Sequence, residues 1–327
     1  MSELALAAFA AEQNVHPRTQ ERTARFAAFR AGFDGAAYVA ALQRRGFRWL
    51  PRSASTFPPL VRAISDAPSG LFLRGQAGAE LLSGPAVAIV GARACSGYGA
   101  HVARMLGREL TAAGLVVVSG LARGVDGEAH RGALEAGGAT VAVLGCGIDR
   151  DYPAVHAELA RRIASTGLIV SEYAPGVEPA PWRFPARNRI VAGLARATVV
   201  VEARERSGAL ITADFALEEG REVYACPGEI TSALSVGANA LLKLGATPLT
   251  ESADVLELFG LSAPTGAEAD LGDDARALLE ALDAPLSADE LVRASRLDAG
   301  AAAAALAELE LAGLVSAADG LFRRTSP

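Results

Sequence analysis

Five segments combine glycines, arginines and aromatic rings in patterns suited to capturing phosphates and bases. Gly91-Ala92-Arg93 closes an apolar run, and Gly97-Tyr98-Gly99 opens the helical stretch after it. Backbone amides and a guanidinium can face a phosphate there. The GxGxxG dinucleotide spacing is absent, and the same glycines also suit a tight strand-to-helix turn. Ser119-Gly120-Leu121-Ala122-Arg123-Gly124-Val125-Asp126 sets two glycines around an arginine at another strand end, a second candidate anion cradle. In that segment Asp126 reads as a helix cap rather than a general base, and His130 as a packed or capping histidine rather than a catalyst. Trp182-Arg183-Phe184-Pro185-Ala186-Arg187-Asn188-Arg189 places three arginines among two aromatics. That composition suits a single strand, with arginines following phosphates and rings stacking on bases at about 1–3 kcal/mol per stack. Glu202 to Thr212 reads as a strand end followed by a Ser207-Gly208 helix start that offers amides to a further phosphate. Arg204 and Arg206 fit either phosphate contacts or solvated loop charges. Finally, Asn239 and Lys243 stand four apart, on one face of a helix, with Lys243 as a further phosphate contact.

What is missing narrows the chemistry. Lys243 is the only lysine and Leu244 follows it, so no GxxxxGK[ST] phosphate loop exists. No GxSxG elbow or paired loop-tip carboxylates stand out. Cys95, Cys146 and Cys226 are far apart, without CxxC spacing or clustered histidines, so neither a metal site nor a disulfide framework is expected. The expected chemistry is holding rather than turnover, with no catalytic residue and no cofactor.

These segments need a scaffold that sets them at strand ends. Short apolar runs at 87–90, 115–118, 140–144, 168–170, 198–201 and 222–225 alternate with amphipathic helical stretches. Such alternation predicts a Rossmann-like, doubly wound, mostly parallel sheet with helices on both faces. Ligands on that architecture sit at the carboxyl ends of the strands, where the glycine-rich segments fall. Residues 1–56 read as a small helical domain, with Phe26, Phe29, Phe33, Tyr38, Leu42 and Phe47 at helical spacings, and Pro58-Pro59 marks its end. Residues 57–261 form the α/β domain and 262–272 a Ser/Ala/Pro/Gly/acidic linker. Residues 273–327 read as helices near 273–282, 287–294 and 298–312 with a hairpin turning at Asp319-Gly320, hence a winged helix.

The chain has 327 residues, 51% of them hydrophobic, and a formal charge of -6. That size supports a large core. The charge is unevenly spread: residues 1–60 carry eight basic and four acidic groups, residues 61–258 carry 18 and 21, and residues 259–327 carry five and 12. The positive excess at the front favours a polyanionic partner there, against the overall balance. With neither a signal-peptide pattern nor a long apolar run, the expected address is the cytoplasm.

The ordered series Ala88-Ile89-Val90-Gly91-Ala92-Arg93, Val118 to Asp126, Phe184-Pro185-Ala186-Arg187-Asn188-Arg189-Ile190, Ser207-Gly208-Ala209-Leu210-Ile211-Thr212 and Pro227-Gly228 resembles the DprA/Smf DNA-processing proteins of bacterial transformation and recombination. The match runs from about Phe57 to Glu257. The resemblance implies an extended Rossmann domain that binds single-stranded DNA in a basic pocket, dimerises, and helps load the RecA recombinase. It further implies that Arg93, Ser119, Gly120, Arg123, Arg187, Asn188, Ser207, Gly208 and Lys243 line the phosphate path and that Phe184 wedges against a base. Gly91, Gly124, Arg183, Arg189 and Thr212, in the same segments, are counted with them as DNA-binding candidates. Relatives often carry a lysine three residues before this phenylalanine. Here Pro181 stands there, so either Arg183 supplies the charge or the contact is lost.

The flanking regions are read from their own residues. The N-terminal region, of SAM-like or helix-hairpin-helix type, is a candidate for a second contact, to duplex or single-stranded DNA. The segment from Asp298 to Leu311, the expected recognition helix, lacks lysine and arginine, so the winged domain is expected to contact protein rather than DNA. Two rivals remain at this point. One is an enzyme akin to the cytokinin-activating phosphoribohydrolases, whose PGGxGTxxE motif is degraded here, with Ile211 replacing its last glycine. The other is a protein scaffold with a silent pocket.

Overall fold

The runs Ala86–Val90, Thr140–Leu144 and Leu168–Ser171 are buried at every position, as expected of strands covered on both faces. In the computed structural model, which describes residues 2–15, 23–261, 271–282, 284–312, 314–318 and 320–324, they are central strands of one sheet. The chain opens with α1 (Ser2–Gln13), α2 (Ala24–Gly32), α3 (Gly35–Arg44), β1 (Phe47–Pro51), α4 (Pro59–Ala63) and β2 (Gly70–Arg74). The alternating part follows as β3 (Ala86–Val90), α5 (Gly97–Ala112), β4 (Val116–Ser119), α6 (Val125–Glu135), β5 (Thr140–Leu144), α7 (Ala157–Thr166) and β6 (Leu168–Ser171). It continues through α8 (Arg183–Leu194), β7 (Ala197–Val200), α9 (Gly208–Glu218), β8 (Glu222–Ala225), α10 (Val236–Lys243), β9 (Thr247–Pro248) and α11 (Ser252–Leu258).

The sheet order is β1-β2-β6-β5-β4-β3-β7-β8-β9, parallel from β6 to β9, with β2 antiparallel to β6 and β1 antiparallel to β2. Alternate β3 residues feed two apolar layers. Ala86, Ala88 and Val90 pack with Ile190, Val191 and Leu194 of α8 and with Ala209 and Ala213 of α9. Val87 and Ile89 pack with Leu106 and Leu110 of α5 and Ala129 of α6. Each Val, Leu or Ile among them contributes about 1.5–3 kcal/mol, and each Ala less. Helices α5 and α6 approach so closely that a Cβ on Gly132 would lie 2.0 Å from the Arg104 carbonyl oxygen. The chain steps outward from β3 through β4, β5 and β6, then returns along α8 to place β7 on the other side of β3. That reversal opens a crevice at the carboxyl ends of β3, β4 and β7.

The expected boundary at 56/57 does not separate two compact units, because residues 1–263 form one. Phe47, expected at a helical spacing, starts β1 and pairs with Arg74 of β2. Leu4 and Ala7 of α1, Leu42 of α3 and Phe47 share an apolar cluster with Phe72, Ala142 and Leu144 of the sheet. The N-terminal helices are thus built onto the sheet edge.

Residues 264–327 form the second unit, with α12 (Asp273–Glu280), β10 (Leu286–Ser287), α13 (Ala288–Ser295), α14 (Ala299–Leu311), β11 (Val315–Ala318) and β12 (Leu321–Arg324). Its strands run antiparallel in the order β10-β12-β11. Leu278, Leu291, Leu309 and Val315 centre its core. Three helices and a hairpin wing make this a winged helix. Residues 262–270 of the linker expected at 262–272, and the turn residue Asp319, lie outside the described residues. Among the described residues no helix is long and apolar enough to cross a membrane.

Candidate nucleic-acid interface

The crevice at the reversal holds two adjoining cavities, of about 200 and 360 Å³. Arg93, Gly120, Ala122, Phe184 and Arg187 line both. The smaller is completed by Gly91 after β3, by Asn188 of α8, and by Ser207, Gly208 and Thr212 at the start of α9. The larger extends to Arg123 after β4 and to Gly145, Tyr152 and Pro153 between β5 and α7. Four strand ends therefore supply the walls, and Phe184 stands where the cavities meet.

Phe184 is half-buried between two partners. Its ring stacks on Tyr152, centroids 5.2 Å apart, and the Arg93 guanidinium lies 5.5 Å from its centroid. A Cβ on Gly145 would approach the Phe184 ring to 2.8 Å, so the glycine lets the ring seat against the sheet. Arg93 and Arg123 are exposed cations on this rim. At the opposite wall, Ser207 caps α9 by accepting from the Ala209 N–H at 3.2 Å. The Gly208 carbonyl accepts from Asn188 Nδ2 at 3.0 Å and from Thr212 Oγ1 at 3.4 Å. A Cβ added at Gly208 would meet no atom within 4 Å, so this helix start faces open space.

The floor is a buried charge network. Arg187 donates to the carbonyls of Gly120 at 2.6 Å and of Val143, and through Nε to Asn188 Oδ1 at 3.0 Å. Asp126 Oδ2 accepts from the Gly120 N–H at 3.1 Å and the Ala122 N–H at 3.3 Å. Burial pushes the Asp126 carboxyl up, against the Arg187 charge and the two N–H donors that hold it down. Asp126 therefore braces the loop before α6, where sequence suggested a simple cap; the N-cap itself is Gly124.

Several expected contacts lie elsewhere. Arg183, the proposed stand-in for the missing lysine, is 1% exposed and points away from the groove. It donates to Asn14 Oδ1 at 2.6 Å and to the Glu178 carbonyl, and sits over Tyr173 and Trp182. Arg189 is ion-paired with Glu172 at 2.8 Å and Asp66 at 3.3 Å. The hydroxyl of Ser119 is buried and donates to the Ile89 carbonyl at 2.6 Å, tying β4 to β3. Gly124 has φ 71° and lies against Ala92, where a Cβ would meet the carbonyl oxygen at 2.2 Å. Lys243 is exposed at the end of α10 and lines neither cavity, while Asn239 brackets both polar groups of the Gly228 backbone. Sequence reasoning missed Tyr152, Gly145 and Asp126 as walls. The first two follow β5, so the strand-end rule was the available signal.

Behind the floor, His130 is fully buried and bonds Thr140 Oγ1 at 2.8 Å, while Thr140 donates to the Val117 carbonyl. Burial, with His156, Arg187 and Arg131 nearby, pushes its imidazole down to about 3 from 6.5. The unfolded chain then binds one more proton than the folded one between those values. Stability from this group is complete above pH 6.5 and falls by about 1.4 kcal/mol per pH unit below it, towards pH 3. Urea midpoints measured from pH 7 to pH 5 should decline accordingly, and His130→Leu should flatten that decline.

Residues 48–260 match the family model described as DNA recombination-mediator protein A, and residues 262–320 match that of the DprA winged helix domain. The doubly wound sheet, its strand-end groove and the winged helix thus define a DNA-processing recombination mediator. The DNA processing protein DprA of Streptococcus pneumoniae is 47% identical over 203 residues, which cover 62% of this chain and 71% of that one. A crystal structure of DprA from the same species superposes with TM-score 0.67 at 38% identity, covering 78% of this chain and 92% of that one. DNA processing protein A of Helicobacter pylori, whose structure is described for its single-stranded DNA binding mode, superposes with TM-score 0.58 at 30% identity, covering 65% and 95%. The chain belongs to the DprA/Smf family.

Proposed function

We propose that this chain binds single-stranded DNA in the strand-end groove, shields it, and passes it to the RecA recombinase during recombination or uptake of foreign DNA, acting as a homodimer. The observation that carries the reading is the juxtaposition of Phe184, flanked by Arg93 and Tyr152, with the open start of α9 across one continuous groove. A phosphate takes the Gly208 side, where backbone amides and the helix dipole favour an anion. A base takes the Phe184 side, where stacking is sequence-tolerant. The family relationship and the single-strand binding of the Helicobacter relative support the same assignment, and the RecA and dimer partnerships rest on the family resemblance alone. The lining carboxylate, Asp126, is committed to loop amides, which favours holding over catalysis.

The test is fluorescence anisotropy of labelled oligo-dT across a salt series. Tight binding is expected to weaken with a slope of about -0.7 per phosphate neutralised. No binding at low salt would overturn the reading.

The winged helix is assigned to a protein contact. Its α14 carries no lysine or arginine to meet a DNA backbone. Deleting residues 265–327 should change oligo-dT affinity by less than about threefold, as read by the same titration, and a sharp loss would reverse the assignment.

A further inference from the structure

Rossmann-type sheets usually offer a ligand phosphate the turn after their first parallel strand, at the start of the next helix. In this chain that turn, between β3 and α5, is already filled by an anion of the protein's own. Glu202 leaves the end of β7, the strand beside β3, and its side chain is 5% exposed. Its Oε2 accepts from the Ser96 N–H at 2.9 Å, and its Oε1 accepts from the Ser96 hydroxyl at 2.5 Å. The Ser96 oxygen in turn accepts from the Gly99 N–H at 3.0 Å, capping α5. A Cβ on Gly99 would lie 2.4 Å from Glu202 Oε2, so the glycine exists to let the carboxylate reach the helix start.

We propose that Glu202 is a specificity-determining residue: its carboxylate plugs the phosphate position of the β3–α5 turn, excludes free nucleotides from it, and leaves the α9 start as the place where a phosphate binds. The two carboxylate oxygens occupy the amide and the hydroxyl of Ser96, and a second anion brought beside them would meet like charge in a buried setting. An added Cβ would meet nothing within 4 Å at either first helical residue, Gly97 or Gly208. The two starts differ in that the Glu202 carboxylate bonds the Ser96 cap of α5 and lies against Gly99, while the Ser207 cap of α9 bonds the Ala209 N–H. A nucleotide pocket has thereby become a surface that takes phosphate only along the outer groove. This inference rests on the proposed phosphate site at α9, and the experiment below separates the two.

Inorganic pyrophosphate is titrated into isotope-labelled full-length protein while backbone amide resonances are followed. In the unmodified protein Ser207, Gly208 and Ala209 should shift, and Ser96, Gly97 and Gly99 should not. In Glu202→Ala the second set should shift as well, with apparent affinity at that turn raised at least about tenfold. Glu202→Ser serves if the alanine variant does not fold. Saturable shifts at Ser96–Gly99 with Glu202 present, or a folded variant in which they stay still, would overturn the plug. Absent shifts at Ser207–Ala209 would instead count against the α9 site, while the comparison at Ser96–Gly99 still decides the role of Glu202.

Discussion

Replacing Arg187 by methionine is expected to cost about 3–5 kcal/mol of folding stability, the range seen when one member of a buried charged set is removed. Arg187 is 5% exposed, and Asp126 is 6% exposed. They meet at Gly120, where an added Cβ would come within 2.3 Å of Arg187 Nη2 and 2.7 Å of Asp126 Oδ2. Methionine keeps much of the apolar stem but leaves the Gly120 and Val143 carbonyls without this donor and Asp126 without its counter-charge. Adding Asp126→Asn removes the stranded charge and should restore roughly half the loss, because the carboxamide oxygen can still accept from Gly120 and Ala122. Urea unfolding of the two single variants and the double variant measures this directly. A single methionine variant as stable as the parent would mean that Arg187 is not the brace of the groove floor.

That buried role was not legible in the sequence, although the motif was. An arginine between Phe184 and Asn188 looks the same in a string whether it meets solvent phosphate or its own backbone carbonyls. Burial separates the cases, and burial depends on which side of α8 faces the sheet. Arg183, Arg187 and Arg189 all fall on covered parts of that helix, towards Asn14, Gly120 and Glu172 respectively. The parallel core strands were readable because residues buried on both faces are mostly apolar, and the polar ones among them, such as Ser119, Thr140 and Ser171, bond backbone carbonyls at the strand ends. Strands β1 and β2 were not, since Phe47-Arg48-Trp49-Leu50-Pro51 follows a helical stretch and pairs antiparallel at the sheet edge, where the apolar pattern is mixed. The glycines at 91, 120 and 208 were recognisable as phosphate-turn candidates. Telling the plugged turn from the open one needed the position of Glu202, which arrives from a strand more than a hundred residues after Ser96.

Alanine at both Arg93 and Arg123 should weaken oligo-dT binding by about 3 kcal/mol, roughly 100-fold, since each loses a charge-assisted contact of about 1.5 kcal/mol. The salt dependence should change with it, the slope becoming shallower by about 1.4 as two phosphates go unneutralised. Folding stability should hold, because both side chains are exposed. Phe184→Ala provides the contrast. It removes a stacking platform worth about 1–3 kcal/mol and should leave the slope unchanged, because no phosphate contact is lost. Anisotropy titrations at four or more salt concentrations distinguish the two losses, with thermal unfolding as the control for structure. If the double arginine variant keeps the parental slope, the phosphate path runs elsewhere, and the exposed Arg204, Arg206 and Lys243 become the cations to replace next. If Phe184→Ala makes the slope shallower by about 0.7, half the change of the arginine pair, the ring acts by holding Arg93 in place across their 5.5 Å contact rather than by stacking on a base.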